Sequence, residues 1–263
     1  MPESRHLPQA KTYIRPVVGS GAKAQLILFD DGRHYVVKFK GNPQGLRVLS
    51  NELIANRLAD LLRVPVAEGA VVRVSQEFID FEPELYKHSF IGGLQYGSLF
   101  YEGAYGNPTE RMLAEVADPE LFAGIIVFDH LINNWDRRYH GDNLLFLAEQ
   151  PPRLITIDHG HAFDGPEWTV EGLKKAALPV DLFYGHFYRV MGEFLRGNPF
   201  EAPLRRVEEL GEEQLAAIMT DLPPEWCIGE AERQAMLEYL RLRRANLREA
   251  IEKLKRQRFP QCC

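Results

Sequence analysis

Between residues 118 and 160 apolar blocks alternate with polar residues at set places, and this stretch limits the fold more than any other. Asp118-Pro119 reads as a helix start, a capping carboxylate followed by proline at the first helical position. Leu121, Phe122, Ile125, Ile126, Phe128 and Ile132 then form a helix apolar enough to belong in a core. It runs out into Asn133-Asn134-Trp135-Asp136-Arg137-Arg138, a polar loop. Asn143 leads into a short apolar strand, Leu144–Leu147, and Ala148–Arg153 joins it to a second, Leu154–Ile157, which ends on Asp158-His159-Gly160. A buried helix must therefore deliver Asp136, and two buried strands must deliver Asn143 and Asp158.

That order of residue types suits phosphoryl transfer from a nucleotide. One carboxylate orients the attacking hydroxyl, while an amide and a second carboxylate hold magnesium on the phosphates. Upstream, Lys38 sits mid-strand between Val37 and Phe39, and alternation puts Val36, Lys38 and Lys40 on one face. An inward lysine on a strand needs a partner or a use. Glu52, between Leu49 and Leu53 on the next helix, can be that partner, giving the pair that grips nucleotide phosphates in kinases. Gly19-Ser20-Gly21-Ala22-Lys23 precedes the first strand of the hairpin, and its glycines let backbone N–H groups approach phosphate oxygens.

Each feature alone has a plainer reading. Lys38 and Lys40 could face solvent on an edge strand with Glu52 on an open helix face. The glycine run could be a turn, and Asp136 a helix cap or a partner of Arg137 or Arg138. The features gain force from arriving together in order. A zinc site among His130, His140, His159 and His161 is the competing reading, but no His-Glu-x-x-His or Cys-x-x-Cys core is present. His130, on the apolar helix, reads as a satisfied core histidine, and His140 as a loop group able to approach a transferred phosphate.

The rest of the chain organises around these motifs. Residues 17–41 read as a hairpin with strands Leu26–Phe29 and Tyr35–Phe39 about an Asp30-Asp31-Gly32 turn. A helix is expected over 46–62, with Pro65 marking its end, then a strand over Val66–Val74. Residues 78–110, with five glycines among aromatics, read as a connection between lobes. The remainder is mostly helical, closing with an amphipathic helix whose stripe is Met236, Leu240, Leu247, Ile251 and Leu254. No apolar run approaches the roughly 18 residues of a membrane span. The start, Met-Pro-Glu-Ser-Arg-His, has no signal-peptide core, and three cysteines make no disulfide framework, so a cytoplasmic setting is expected. A net charge of −6 argues against nonspecific nucleic-acid binding.

At this point the chain resembles the HipA-like kinases, within the wider group that includes phosphoinositide kinases, over roughly residues 17–164. Gly21-Ala22-Lys23-Ala24-Gln25 resembles their phosphate loop and Val37-Lys38-Phe39 their lysine strand. Asn51-Glu52-Leu53, Leu58-Ala59 and Val64-Pro65-Val66 are similar to their glutamate helix and its exit. Asn134-Trp135-Asp136-Arg137 resembles their catalytic loop, and Ile157-Asp158-His159-Gly160 the metal-binding strand of phosphoinositide kinases. There are departures. Six residues separate Asp136 from Asn143 where the family pattern has four, so the loop bulges or Asp142 shares the metal role. Arg138 stands where the group often has histidine. The motifs begin within about 20 residues of the first residue, leaving no counterpart to the extra N-terminal subdomain of HipA toxins.

The resemblance implies an α+β, two-lobed, protein-kinase-like fold, with a β-rich lobe over 1–105 and a helical lobe over 106–263. It implies an ATP- and Mg²⁺-dependent transfer of the γ-phosphoryl group to a hydroxyl, with a protein Ser/Thr expected first and a lipid head group or small molecule second. Lys38, oriented by Glu52, would hold the α/β-phosphates, and Gly21, Ala22 and Lys23 would cover them. Asp136 would act on the acceptor, and Asn143 and Asp158 on the metal. A nucleotide-binding pseudokinase, which the stretched loop favours, and a nucleotidyl transferase are the alternatives.

Overall fold

A strand with almost no apolar face begins the computed structural model, which describes residues 7–138 and 143–263. This is β1 (Ala10–Pro16), and a tight loop leads from it into β2 (Gln25–Phe29), which turns through Asp30–Gly32 into β3 (His34–Lys40). Next come α1 (Arg47–Leu62), β4 (Gly69–Val74), two short helices α2 (Gln76–Phe81) and α3 (Pro83–Tyr86), and β5 (Ile91–Leu99). The strands form one antiparallel sheet in the order β1-β2-β3-β5-β4.

The hairpin and α1 lie where the sequence put them. The strand expected over Val66–Val74 starts at Gly69, because Val66 bridges to Thr156 in a second sheet. Residues 78–110 correct the reading more deeply. They hold β5, which pairs with both β3 and β4, so the supposed connection contains an inner strand of the sheet. Its glycines hid it, since glycine argues against a strand interior. Here they answer close approaches. A Cβ on Gly97 would lie 3.0 Å from Val72, and Gly93 has φ +118° beside the Glu225 carboxylate.

The chain joins a second sheet at β6 (Tyr105–Gly106), then forms α4 (Glu110–Val116) and α5 (Pro119–Ile132). Asp118 caps α5, its Oδ1 accepting from Glu120 and Leu121 N–H at 2.9 and 3.2 Å. Every residue of α5 from Phe122 to Ile132 is buried. A 3₁₀ turn at Trp135–Arg138 follows, then β7 (Leu144–Leu147) and β8 (Arg153–Thr156), which complete the sheet β6-β7-β8. The helices α6 (Val170–Ala176), α7 (His186–Gly192), α8 (Glu201–Glu208), α9 (Glu212–Ile218) and α10 (Glu230–Arg258) make up the rest. All five stripe residues of α10 are buried.

Two cores result. One lies within the five-stranded sheet, with Ile27, Val37 and Val72. The other is helical and centred on α5, and it also takes Leu49, Leu53 and Leu58 of α1. So α1 is the seam, presenting Glu52 towards the sheet while anchored in the helical core. A strap over residues 218–227 strengthens the seam. Arg57 donates to the carbonyls of Ile218 and Thr220, Arg47 to that of Cys227, and the buried Trp226 indole to Leu94 O at 2.9 Å. Among the described residues no helix is long and apolar enough to cross a membrane.

His130, near the end of α5, is fully buried and stacked on Phe183 at 4.1 Å. Its Nδ1 donates to Ile126 O at 2.7 Å and its Nε2 accepts from Phe183 N–H at 3.4 Å. Only the neutral ring satisfies both bonds, and burial pushes its pKa down to about 4. Between the ordinary value of 6.5 and about 4, the unfolded chain binds a proton that the folded one refuses. Stability should therefore fall with pH across this window, with a slope approaching ~1.4 kcal/mol per pH unit from this residue. Urea denaturation from pH 7 to pH 5 should show the slope in the wild type and its loss in His130→Asn. Parallel slopes in the two proteins would rule it out.

Candidate active site

The Lys38 ammonium lies at the meeting point of both sheets and α1. It is buried, and it donates to the Glu52 carboxylate on α1 and to Asp158 Oδ1 at 2.6 Å, just past β8. Burial alone would lower the Lys38 pKa, but Asp158 and then Glu52 outweigh it and hold the ammonium above its usual range. Burial likewise works to raise the Glu52 carboxyl, and the Lys38 ammonium leads the contacts that more than reverse it. Both groups are ionised at neutral pH. The solvent-facing reading of the lysine face fails, since Lys38 and Lys40 are each under 10% exposed. A register shift in the β3–β5 ladder falls between them, and Lys40 reaches Glu225 in the strap instead.

The pair forms one wall of a cavity of about 520 Å³. Leu26 and Val36 line it from the first sheet, and Leu145 and Ile157 from the second. Along its edge runs Leu99–Ala104, the segment that leaves β5. The volume falls in the range for small-molecule sites, and the walls are apolar with a few convergent polar groups. Sequence reading missed Leu99–Ala104 because it missed β5. The cluster Phe100-Tyr101-Glu102-Gly103 was its only signal.

The loop between β1 and β2 closes the other end. Val17 N–H bonds Ala24 O at 2.9 Å, and Ala24 N–H bonds the Ser20 hydroxyl at 3.1 Å, folding the loop back on itself. Gly19 and Ser20 line the cavity, whereas Gly21, Ala22 and Lys23 do not. Gly21 backs onto Gln44, where a Cβ would lie 2.5 Å from its amide nitrogen, and that amide bonds His161 at 2.8 Å.

Asp136 stands on the 3₁₀ turn after α5, where Asn133 ends the helix in the left-handed region at φ +56°. Asp136 is thus not the helix cap, and Arg137 pairs with Asp129 at 2.7 Å. Its Oδ2 accepts from Asn143 Nδ2 at 3.3 Å, so the structure brings Asp136 and Asn143 together. Asn143 and Asp158 both line the cavity, and Asp158, at φ +58°, keeps 38% of its side chain exposed. Asn143 donates through its nitrogen, so its Oδ1 is not committed to that bond. Amide and carboxylate oxygens are the hard donors magnesium prefers, which fits the residues present. His140 and Asp142 lie outside the described residues. The other histidines do not converge: His130 is held in the helical core, His159 meets Arg137, and His161 meets Gln44.

The bilobal arrangement is that of the protein kinases. The structure of the Helicobacter pylori proinflammatory kinase CtkA is similar at a TM-score of 0.56 and 12% identity, over 92% of this chain and 96% of that one. The Golgi casein kinase is similar at 0.50 and 13% identity, over 94% of this chain and 74% of that one. No curated protein matches the chain in sequence. The model of the HipA-like kinases matches residues 20–261, and the chain belongs to that family. Family and fold together define a protein-kinase-like phosphotransferase.

Breaking a buried pair by removing one partner typically costs about 3–5 kcal/mol. Glu52→Ala should lose stability of that order in urea denaturation. The double variant Lys38→Met/Glu52→Leu, which removes both charges, should regain much of it. A cost under about 1 kcal/mol for Glu52→Ala would show that the pair is not the buried, water-excluded contact described.

Proposed function

We propose that the protein is a kinase that transfers the γ-phosphoryl group of Mg²⁺-bound ATP to a hydroxyl, with serine or threonine of a protein as the acceptor, in the cytoplasm. The observation that carries this is the Lys38 ammonium shared between Glu52 and Asp158 at the wall of the cavity. Glu52 is the buried partner and Asp158 the partly exposed one, so Asp158 is the carboxylate able to exchange partners. With nucleotide bound, Lys38 keeps Glu52 and turns to the α/β-phosphates. Asp158, freed from Lys38, would then hold the metal together with Asn143.

The apolar walls at Leu26, Val36, Leu145 and Ile157 suit a flat base, and Leu99–Ala104 offers its backbone along the base's edge. The β1–β2 loop covers the phosphates, with Gly19 and Ser20 nearest and Gly21–Lys23 behind them. Asp136 orients the acceptor hydroxyl and accepts its proton as the oxygen attacks the γ-phosphorus, and the bond to the bridging oxygen of ADP breaks. Asn143 and Asp158 would hold magnesium, which would supply charge neutralisation at the phosphate oxygens. The acceptor class rests on resemblance to the HipA-type kinases and on no contact in the cavity.

Incubation with ATP labelled at the γ-phosphate should transfer label to protein, and label at the α-phosphate should not. Transfer from the α-phosphate instead would mean nucleotidyl transfer, and transfer from neither would favour a pseudokinase. In the same assay Asp136→Ala should remove turnover while keeping most Mg-ATP affinity, because it acts only on the acceptor. Asp158→Ala should lose metal-dependent nucleotide affinity. Equal loss of affinity in both variants would refute this division of roles.

A further inference from the structure

Arg137 follows Asp136 directly and is fully buried. Its Nε donates to Asp129 Oδ2 at 2.7 Å, its Nη1 to the carbonyl of Asn143, and its Nη2 to Nε2 of His159 at 3.0 Å. One side chain thus grips the backbone at the metal-side asparagine and the residue next to Asp158, while sitting beside Asp136. The bond to Asn143 fixes the described end of the connection that leaves Asp136.

The partner chosen for Nη2 has a definite chemical consequence. A guanidinium has only donors and keeps its proton. Nε2 of His159 must therefore be the bare nitrogen, and the proton of the neutral ring lies on Nδ1. That nitrogen faces Glu52 Oε2 at 3.8 Å, an electrostatic contact too long for a hydrogen bond. The other oxygen of Glu52 holds Lys38. The ring is about 1% exposed and packs edge-on against Phe128 at 5.7 Å.

We propose that His159 is a positioning residue: its bare Nε2 accepts from Arg137 and so holds the backbone carrying Asp136 and Asn143 beside the Lys38–Glu52 pair, which Nδ1 faces at 3.8 Å. The catalytic loop and the phosphate-binding pair then keep one fixed relation. A residue that served only to fill space could be an apolar ring of similar shape. His159 instead presents an acceptor to the Arg137 guanidinium, which an apolar ring cannot do. The proposal rests on the kinase reading of the cavity, but its chemical core can be measured without it.

The direct test is ¹⁵N NMR of the protein labelled at its eight histidines near neutral pH. The His159 signals, identified by their disappearance in His159→Gln, should show Nδ1 protonated and Nε2 bare. A protonated Nε2, or an imidazolium, would overturn the proposal. In kinetics, His159→Phe keeps the ring packing but gives Arg137 no acceptor. It should lower kcat roughly 10- to 100-fold, the usual size for partners that orient metal-site residues, with little change in KM for ATP. His159→Gln, whose amide offers both an acceptor and a donor, should recover most of the loss. A phenylalanine variant as fast as wild type, or no recovery with glutamine, would overturn the role. If His159→Phe fails to fold, the tautomer and the glutamine variant decide. Wild-type protein that transfers no γ-phosphoryl would sink the kinase reading, and the tautomer measurement would still decide the state of His159.

Discussion

One buried ammonium holds the two halves of this chain in register. Lys38 is bonded to Glu52, 14 residues away, and to Asp158, 120 residues away. An unpaired charge at that depth would be driven to neutralise itself, so the two carboxylates are what keep the buried ammonium charged. Two carboxylates on one ammonium leave a surplus negative charge facing the cavity. That surplus is tolerable because Asp158 is partly in water, and it makes Asp158 the natural ligand for a cation. The same feature that joins the halves thus prepares the site for a metal-bound polyphosphate.

Around this triad, irregular backbone is held by polar side chains rather than by apolar cover. Asn51, beside Glu52 on α1, donates to the carbonyls of Gly160, Ala162 and Gly165, and its own oxygen accepts from the Trp168 indole at 2.7 Å. Asn133 donates to Phe163 O. Asp129, buried in α5, accepts from Asn134, Arg137 and Tyr188. A loop inside a protein must satisfy its own N–H and C=O groups, and these side-chain bonds do so for the carbonyls they reach. The loops bearing Asp136 and Asp158 are therefore fixed by α1 and α5, the two helices that share the helical core.

Much of this could be read from the residues alone, and most of the failures trace to contacts between residues far apart in sequence. Lys38 and Glu52 stood out inside apolar runs, and Asp136, Asn143 and Asp158 at the ends of them; the structure draws Lys38, Glu52, Asn143 and Asp158 to one cavity and bonds Asp136 to Asn143. α1, α5, α10 and the strands after α5 were legible because their apolar spacing is regular. β1 was missed because it is exposed on most sides and shows no alternation. β5 was missed because glycines fit close neighbours, Val72 and Glu225, that lie far off in sequence. With β5 went the Leu99–Ala104 edge of the cavity. Arg137 and His159 were visible as residues, but their use depends on a contact between side chains 22 positions apart. No local pattern encodes the strap at Glu225 or its hold on Lys40.

The central claim is that Lys38 has one permanent partner and one exchangeable partner. A crystal structure with Mg²⁺ and a non-hydrolysable ATP analogue measures this directly. The expected result keeps the Lys38–Glu52 contact, moves Lys38 from Asp158 to a phosphate oxygen, and puts Asp158 and Asn143 on the metal. Lys38 still bonded to Asp158, with the phosphates held by Lys40 or Lys23 instead, would contradict the assignment.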